Sequence, residues 1–396
     1  MFQIDEKPKE PRGIDLVLLS ATLLLVSLGL VMVYSSSAVY AASKYGSGGF
    51  FLTRTLAFSA LGFIALYVGW RVDYRVYQRL IYPMLGVTFL VLIAILIPGV
   101  GKRVDGAVRW FRIFGFSIQP SEPAKFVLVA YLAYSLAKKR ESVRSFSVGF
   151  LPHLCVAGLM AALVLKQPDL GTAAVLAAVS LAMLFISGTK LSYLVLSLLV
   201  ALPIGYQLIV GTSWRMRRLL AFLDPWAYRK DAGYQISESL ISVGSGGFSG
   251  LGLGEGKQKL FFLPAAHTDF IFAITGEELG FLGICCVVLA FGILIARGMR
   301  ASLGAADLFG SYLAFGITSV IGLQAIFHMS VVLGMVPTKG ITLPFVSSGG
   351  SALISALFCI GVLLNIAARR PAWVSPRKKR ETGSNRRRAS KVVVSQ

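Results

Sequence analysis

The chain has 396 residues and a formal net charge of +21; 56% of its residues are hydrophobic and only 14% are charged. A soluble domain carries about a quarter charged residues, and a mean hydropathy of +0.73 implies more apolar surface than one water-soluble core can hide. These values exclude a soluble globular enzyme and indicate an all-α polytopic membrane protein, whose basic excess lies in short loops and the tail and sets orientation rather than binding nucleic acid.

In chain order, residues 1–13 read as a cytoplasmic N-terminal segment. The first apolar run, 14–35, is too long for a signal-peptide core and lacks a cleavage site, so it reads as a retained span. A span needs about 20 apolar residues. Further candidates lie at 51–70, 80–98, 121–137, 147–166, 168–187, 190–210, 270–296, 308–334 and 344–368, giving about ten transmembrane helices in a membrane domain over 14–369. Arg71, Arg75 and Arg79 follow the second span; Lys138, Lys139, Arg140 and Arg144 follow the fourth; Arg297 and Arg300 follow the eighth. All share one face if both termini are cytoplasmic. The tail, 370–396, is basic and poor in apolar residues, which predicts a disordered cytoplasmic segment that touches anionic lipid headgroups. Cys155, Cys285, Cys286 and Cys359 lie in apolar runs as packing residues, and His153, His267 and His328 lack metal-ligand spacing.

Two loops on the external face are basic, aromatic and glycine-rich. One runs from Gly99 to Lys125; the other, between spans seven and eight, covers 211–269. They call for an anionic partner outside. "QPSEP" opens span four and "QPDLGT" opens span six. Pro120 and Pro168 suit helix starts, and Glu122 and Asp169 complement the helix dipole there or line a cavity.

Asp269, in "LPAAHTDFIFAITGEELG", lies at the outer edge of span eight with His267 beside it. It reads either as a helix cap or as a general base facing a cavity. At 100° per residue, Glu277 is roughly 80° and Glu278 roughly 180° around the helix from Asp269, so the two cannot both share its face. They are structural polar contacts or cavity-lining groups. "GLGLGEGK" fails as a phosphate-binding P-loop, because Leu251 and Gln258 stand where glycine and a hydroxyl residue are required. Lys339, Arg109 and Lys125 are snorkelling cations or phosphate contacts. A candidate base, several cations and glycine-rich backbone on one face suit a lipid-linked, phosphorylated substrate whose headgroup lies outside the cell.

"RWF…IQPSEPAK", "QPDLGT", "GSGGFSGLGLGEGKQKLFFLPAAHTDFIFAITGEELG" and "PTKGITLPFVSSGGS" occur in this order. Together they resemble the SEDS family (shape, elongation, division and sporulation), over Ile14 to about Arg369. The lysine of "PTKGITLP" is similar to the division branch; the rod-shape branch tends to lack it. Ala265 departs from the glutamate common in the family, and Ser348 from a common tyrosine.

The resemblance implies a peptidoglycan glycosyltransferase that polymerises lipid II into β-1,4 glycan strands during division and releases undecaprenyl pyrophosphate. It implies that Asp269 is catalytic and that a class B penicillin-binding protein is the partner, together with other division proteins. The place of action is then the septum of the bacterial inner membrane. Arg109, Lys125, Arg215 and Lys339 are the candidate pyrophosphate contacts, with a divalent cation, Mg²⁺ or Mn²⁺, and no organic cofactor. The rivals are a lipid II flippase, a rod-shape-branch polymerase and a non-catalytic scaffold for a transpeptidase.

Overall fold

The computed structural model describes residues 13–104, 107–113 and 116–369. Most of the predicted N-terminal segment and the whole tail lie outside the described residues. Ten helices fall on the ten predicted spans: α1 (Leu16–Tyr45), α2 (Phe50–Arg71), α3 (Arg75–Ala94), α4 (Ser121–Lys138), α5 (Leu151–Lys166), α6 (Leu170–Ile186), α7 (Leu191–Val210), α10 (Ile271–Leu303), α11 (Leu308–Val332) and α12 (Gly350–Ala368). Eight of these are long and apolar enough to cross a membrane, α5 being counted with the π-helical turn Phe146–Phe150 that leads into it. Of the other two, α6 has only 17 residues, and α4 has 18 but carries Glu122, Lys125 and Lys138. The two charges at the start of α4 are tolerated because the helix is central. Leu128, Ala130, Leu132 and Leu136 are fully buried, so lipid does not reach it. Glu122 and Lys125 neutralise one another at 2.8 Å.

The two long loops carry secondary structure of their own. The first is not helical: β1 (Lys102–Val104), β2 (Ala107–Ile113) and β3 (Phe116–Ile118) form an antiparallel sheet in that order. The backbone there lies outside the bundle and pairs with itself through a register of Val104 with Ala107 and Ile113 with Phe116. The second loop contains two short helices, α8 (Ser213–Leu223) and α9 (Tyr234–Ser245). Neither has the length of a span.

In a bilayer the lipid is as apolar as the side chains, so helices associate by close packing rather than by escape from water. The α2–α12 contact shows this. A Cβ at Gly361 would lie 2.1 Å from the Leu66 carbonyl oxygen, and one at Gly69 would lie 2.7 Å from that of Phe358. Backbone meets backbone there.

One end of the bundle collects ion pairs between helix ends. Asp15, which caps α1, holds Arg297 of α10 at 2.7 Å; Asp307, which caps α11, holds Arg75 of α3 at 3.1 Å; Asp73 pairs with Arg369 after α12. The start of α1 and the end of α12 therefore lie at the same end. The sheet, α8 and α9 belong to the opposite end. Single cysteines test the sidedness in a protein lacking its four native cysteines. A cysteine at exposed Lys230 is expected to react with an impermeant thiol reagent from outside the cell, and one at exposed Ser142 is not. The opposite labelling pattern would invert the topology.

α10 is two helices within one span. Gly280 breaks it with φ 65° and ψ −160°, a conformation other residues rarely adopt. The segment after α9 repairs the gap. Leu251 and Gly252 N–H groups donate to the carbonyls of Glu277 (3.0 Å) and Glu278 (3.1 Å), and the amides of Phe281 and Leu282 donate to the carbonyls of Gly247 (2.9 Å) and Phe248 (3.2 Å). Non-helical backbone at membrane depth persists where protein groups satisfy it. "GLGLGEGK" is thus a clamp on a broken helix rather than a free surface loop.

The two glutamates complete the clamp. Glu277 accepts hydrogen bonds from the amides of Lys257 (2.7 Å) and Gln258 (3.2 Å) and from the Ser242 hydroxyl (3.3 Å). Glu278 accepts from the Ser35 hydroxyl (2.7 Å), the Gly254 amide (3.1 Å) and the Lys259 ammonium (2.7 Å). Both are 1% exposed. Their charge is kept at this depth because these bonds come from the folded-back loop, from α9 and from α1.

Candidate active site

Asp269 stands two residues before α10 begins. The N-cap of α10 is Phe270, which makes no side-chain capping bond, so Asp269 is not the cap of that helix. The aspartate is half-buried. The loop between α11 and α12 passes directly beside it: a Cβ at Gly340 would lie 3.3 Å from Asp269 Oδ2. This close passage brings the neighbouring Lys339 to the same region.

Lys339 and Gly340 form one wall of a pocket of about 820 Å³, shared with Arg109, Asp169, Trp214, Arg215 and Arg218. Each cation reaches it from a different element or turn. Arg109 projects from β2 and donates to the carbonyls of Gln167 (2.9 Å) and Pro168, which fixes the sheet to the start of α6. Arg215 and Arg218, one turn apart on α8, place their guanidinium groups 5.0 and 5.2 Å from the Trp214 ring centroid. Arg215 Nη1 also donates to the Leu208 carbonyl at the end of α7 (2.9 Å).

The electrostatics tie these groups to Asp269. Burial pulls the Arg218 guanidinium below its ordinary value; the Asp269 carboxylate opposes that shift and Arg109 adds to it. Burial also lowers the Lys339 ammonium. Four cations therefore share the pocket region with two carboxylates, Asp169 and Asp269. Asp169 is committed to structure, since it caps α6 through the Thr172 amide (3.0 Å) and takes the Thr172 hydroxyl (2.9 Å) and the Gln119 amide (3.2 Å). That last bond joins the "QPSEP" and "QPDLGT" segments. A pocket with surplus positive charge suits a multiply charged anion such as a diphosphate.

Several sequence-predicted residues fall elsewhere. Lys125 does not line this pocket. It is 3% exposed, bound to Glu122, and both line a separate small pocket between α4, α11 and α12. The phosphate reading of Lys125 gives way to a buried ion pair, because its partner sits one helical turn away. Glu277 and Glu278 serve the loop clamp. His267 packs among rings, 4.4 Å from Phe51 and 5.9 Å from Tyr40 by centroid, and burial pushes its imidazole down to about 4, so it is neutral at pH 7. Arg218 is the site residue the sequence reading missed. The i, i+3 spacing of "RMRR" signals it once the segment is known to be helical, whereas Arg217 points away and pairs with Asp231 at 3.7 Å.

The family model described as cell cycle protein, covering FtsW, RodA and SpoVE, matches residues 15–371. The chain is 47% identical over 368 residues to a probable peptidoglycan glycosyltransferase FtsW of Trichlorobacter lovleyi, covering 93% of this chain and 97% of that protein. It is 42% identical to stage V sporulation protein E of Bacillus subtilis, covering 89% of this chain and 96% of that one. Among solved structures, a chain from a study of polymerization and crosslinking by a peptidoglycan synthase complex superposes with a TM-score of 0.73 at 27% identity, covering 90% of this chain and 98% of that one. The rod shape determining protein RodA of Thermus thermophilus superposes with a TM-score of 0.65 at 25% identity and the same coverage. The ten-helix bundle, the order of the four motifs and these matches together establish that the chain belongs to the FtsW, RodA and SpoVE family of cell cycle proteins, the SEDS family.

Proposed function

We propose that this multi-pass membrane protein is a peptidoglycan glycosyltransferase that polymerises lipid II, and that Asp269 is its general base. The observation that carries the reading is one carboxylate beside a pocket holding Arg109, Arg215, Arg218 and Lys339. The C4 hydroxyl of the acceptor GlcNAc attacks C1 of the MurNAc at the lipid-linked end of the growing strand. The C1–O bond to the diphosphate breaks, Asp269 takes the hydroxyl proton, and the α linkage inverts to β-1,4. The leaving diphosphate carries its charge to the four cations, which stabilise it as it forms. Both substrates are tethered in the bilayer, and holding them in register supplies much of the remaining rate.

A divalent ion belongs to the same proposal. Among the described residues no three His, Cys, Asp or Glu side chains converge on a metal site. Mg²⁺ or Mn²⁺ would instead ride on the substrate diphosphate, as such ions do where no protein cage is present, and would offset phosphate charge while the Asp269 carboxylate stays available as the base.

The same proposal puts the place of action at the septum of the inner membrane, with both termini cytoplasmic and other division proteins nearby. The synthase-complex neighbour supports a crosslinking class B penicillin-binding protein as partner. The direct test gives the purified protein, with and without such a partner, labelled lipid II. Glycan strands support polymerisation. Lipid II translocation without strands would support a flippase, and neither activity a scaffold.

Lys339 provides a separate test. Removing a charge-assisted phosphate contact costs roughly 1.5–3 kcal/mol, or about ten- to a hundredfold in rate. Lys339→Gln is expected to lower polymerisation at least about tenfold, with normal membrane insertion. Lysine is charged below its pKa, and burial lowers that value from 10.5. Donor KM is therefore expected to rise with alkaline pH sooner than an ordinary lysine would dictate. Arginine at 339 removes that rise. Near-normal turnover by the Gln variant returns Lys339 to a structural role.

A further inference from the structure

We propose that Ser347 is a positioning residue for Asp269, fixing the peptide unit from which the carboxylate projects. The inference rests on the reading of Asp269 as the base. Asp269 follows a peptide whose two polar ends are both held. The Asp269 N–H donates to the Ala265 carbonyl at 3.1 Å, and the Thr268 carbonyl accepts from the Ser347 hydroxyl at 2.7 Å. With both ends pinned, the plane of the 268–269 peptide cannot rotate. Beyond its backbone, an aspartate has only two side-chain torsions left to adjust.

Ser347 can do this because its own position is set. It is 4% exposed, and its hydroxyl oxygen accepts from the Leu343 amide at 2.9 Å. The hydroxyl proton is thereby left to point at Thr268. The next amide, Ser348 N–H, donates to the His267 carbonyl at 3.1 Å, a second bond one peptide earlier. The other side of the same loop is tied down as well. His328 Nδ1–H, from α11, donates to the Ile341 carbonyl at 2.7 Å, two residues after Lys339.

The consequence is geometric. A single loop places Lys339 and Gly340 on one side of Asp269 and grips the Asp269 backbone with Ser347 and Ser348. The base and the phosphate-facing lysine are therefore held at a fixed separation by the loop itself. Ala265 supplies the base of the turn. Its φ of 55° is left-handed, and its carbonyl also accepts the amides of Thr268 (3.0 Å) and Phe270 (3.3 Å).

Ser347→Ala removes the donor and leaves two backbone groups without it. Misplacing a reacting group by about 1 Å costs up to about a hundredfold. The expected result is a fall of roughly ten- to a hundredfold in kcat per folded molecule. Donor KM and the thermal midpoint in detergent should stay close to normal. Ser347→Cys keeps the size but donates weakly, and should give an intermediate kcat at unchanged KM; it decides the question if the Ala variant does not fold. Whatever residual rate the Asp269→Asn protein keeps should be unchanged by adding Ser347→Ala, because Ser347 acts through the carboxylate. Normal kcat in a folded Ala or Cys variant overturns the positioning role and leaves Asp269 standing. A raised KM with intact kcat overturns it in favour of substrate contact. A fully active Asp269→Asn protein removes the base reading, and the positioning role with it.

Discussion

Asp269→Asn is expected to abolish glycan polymerisation while leaving the protein folded and its partner bound. Asparagine has nearly the same shape but cannot take the acceptor proton, and a general base contributes about 10²–10⁴-fold. The structure separates this effect from stability. α10 takes Phe270 rather than Asp269 as its N-cap, so that helix start does not depend on the carboxylate, and the nearly isosteric amide keeps the size of a half-buried side chain. The measurement is strand formation from labelled lipid II, normalised to folded protein. An Asn variant that polymerises near the normal rate would show that the carboxylate is not the base.

Glu278→Ala should have the opposite signature: lost stability with intact chemistry in whatever folds. Glu278 has no side-chain exposure and Lys259 has 6%. Alanine would strand the ammonium, and breaking a buried pair by removing one partner costs about 3–5 kcal/mol. The Lys259 ammonium would retain the Gly254 carbonyl at 2.6 Å and the Ser35 hydroxyl at 3.1 Å, neither of which carries compensating charge. The thermal midpoint in detergent is expected to fall sharply. Replacing both residues, Glu278→Leu with Lys259→Met, should recover much of the loss, because an apolar pair of similar volume often does as well as a buried ion pair. A Glu278→Ala protein with a normal midpoint but no polymerisation would instead move Glu278 into the reaction.

The spans were legible because they depend on summed apolar content. Asp15 and Asp307 at helix starts and Arg297 and Arg369 near helix ends also follow from local rules. The site was legible in part. Arg109, Arg215 and Lys339 stood out as cations beside unusual loops, and the pocket collects all three. Lys125 looked the same in the sequence. What separates it is Glu122 three residues earlier, a pairing that becomes decisive only once α4 is known to be fully enclosed. The roles of Glu277 and Glu278 were illegible for another reason. Three of their partners are backbone amides about twenty residues upstream, which carry no side-chain signature, and the side-chain partners Ser35, Ser242 and Lys259 come from three separate segments. The small sheet in the first loop was missed because its strands are short and interrupted by glycine.

The break at Gly280 also constrains how the chain enters the bilayer. The loop amides that complete it belong to a segment that must fold back onto α10 from outside. Until that segment docks, the carbonyls of Glu277 and Glu278 and the amides of Phe281 and Leu282 can be satisfied in lipid only within an unbroken helix. The break in α10 and the docking of the 247–252 segment are therefore coupled, each satisfying the polar groups the other would leave open. The direction of the outer half of α10, which leads to Asp269, is thus set by a loop from elsewhere in the chain as much as by the helix's own ladder.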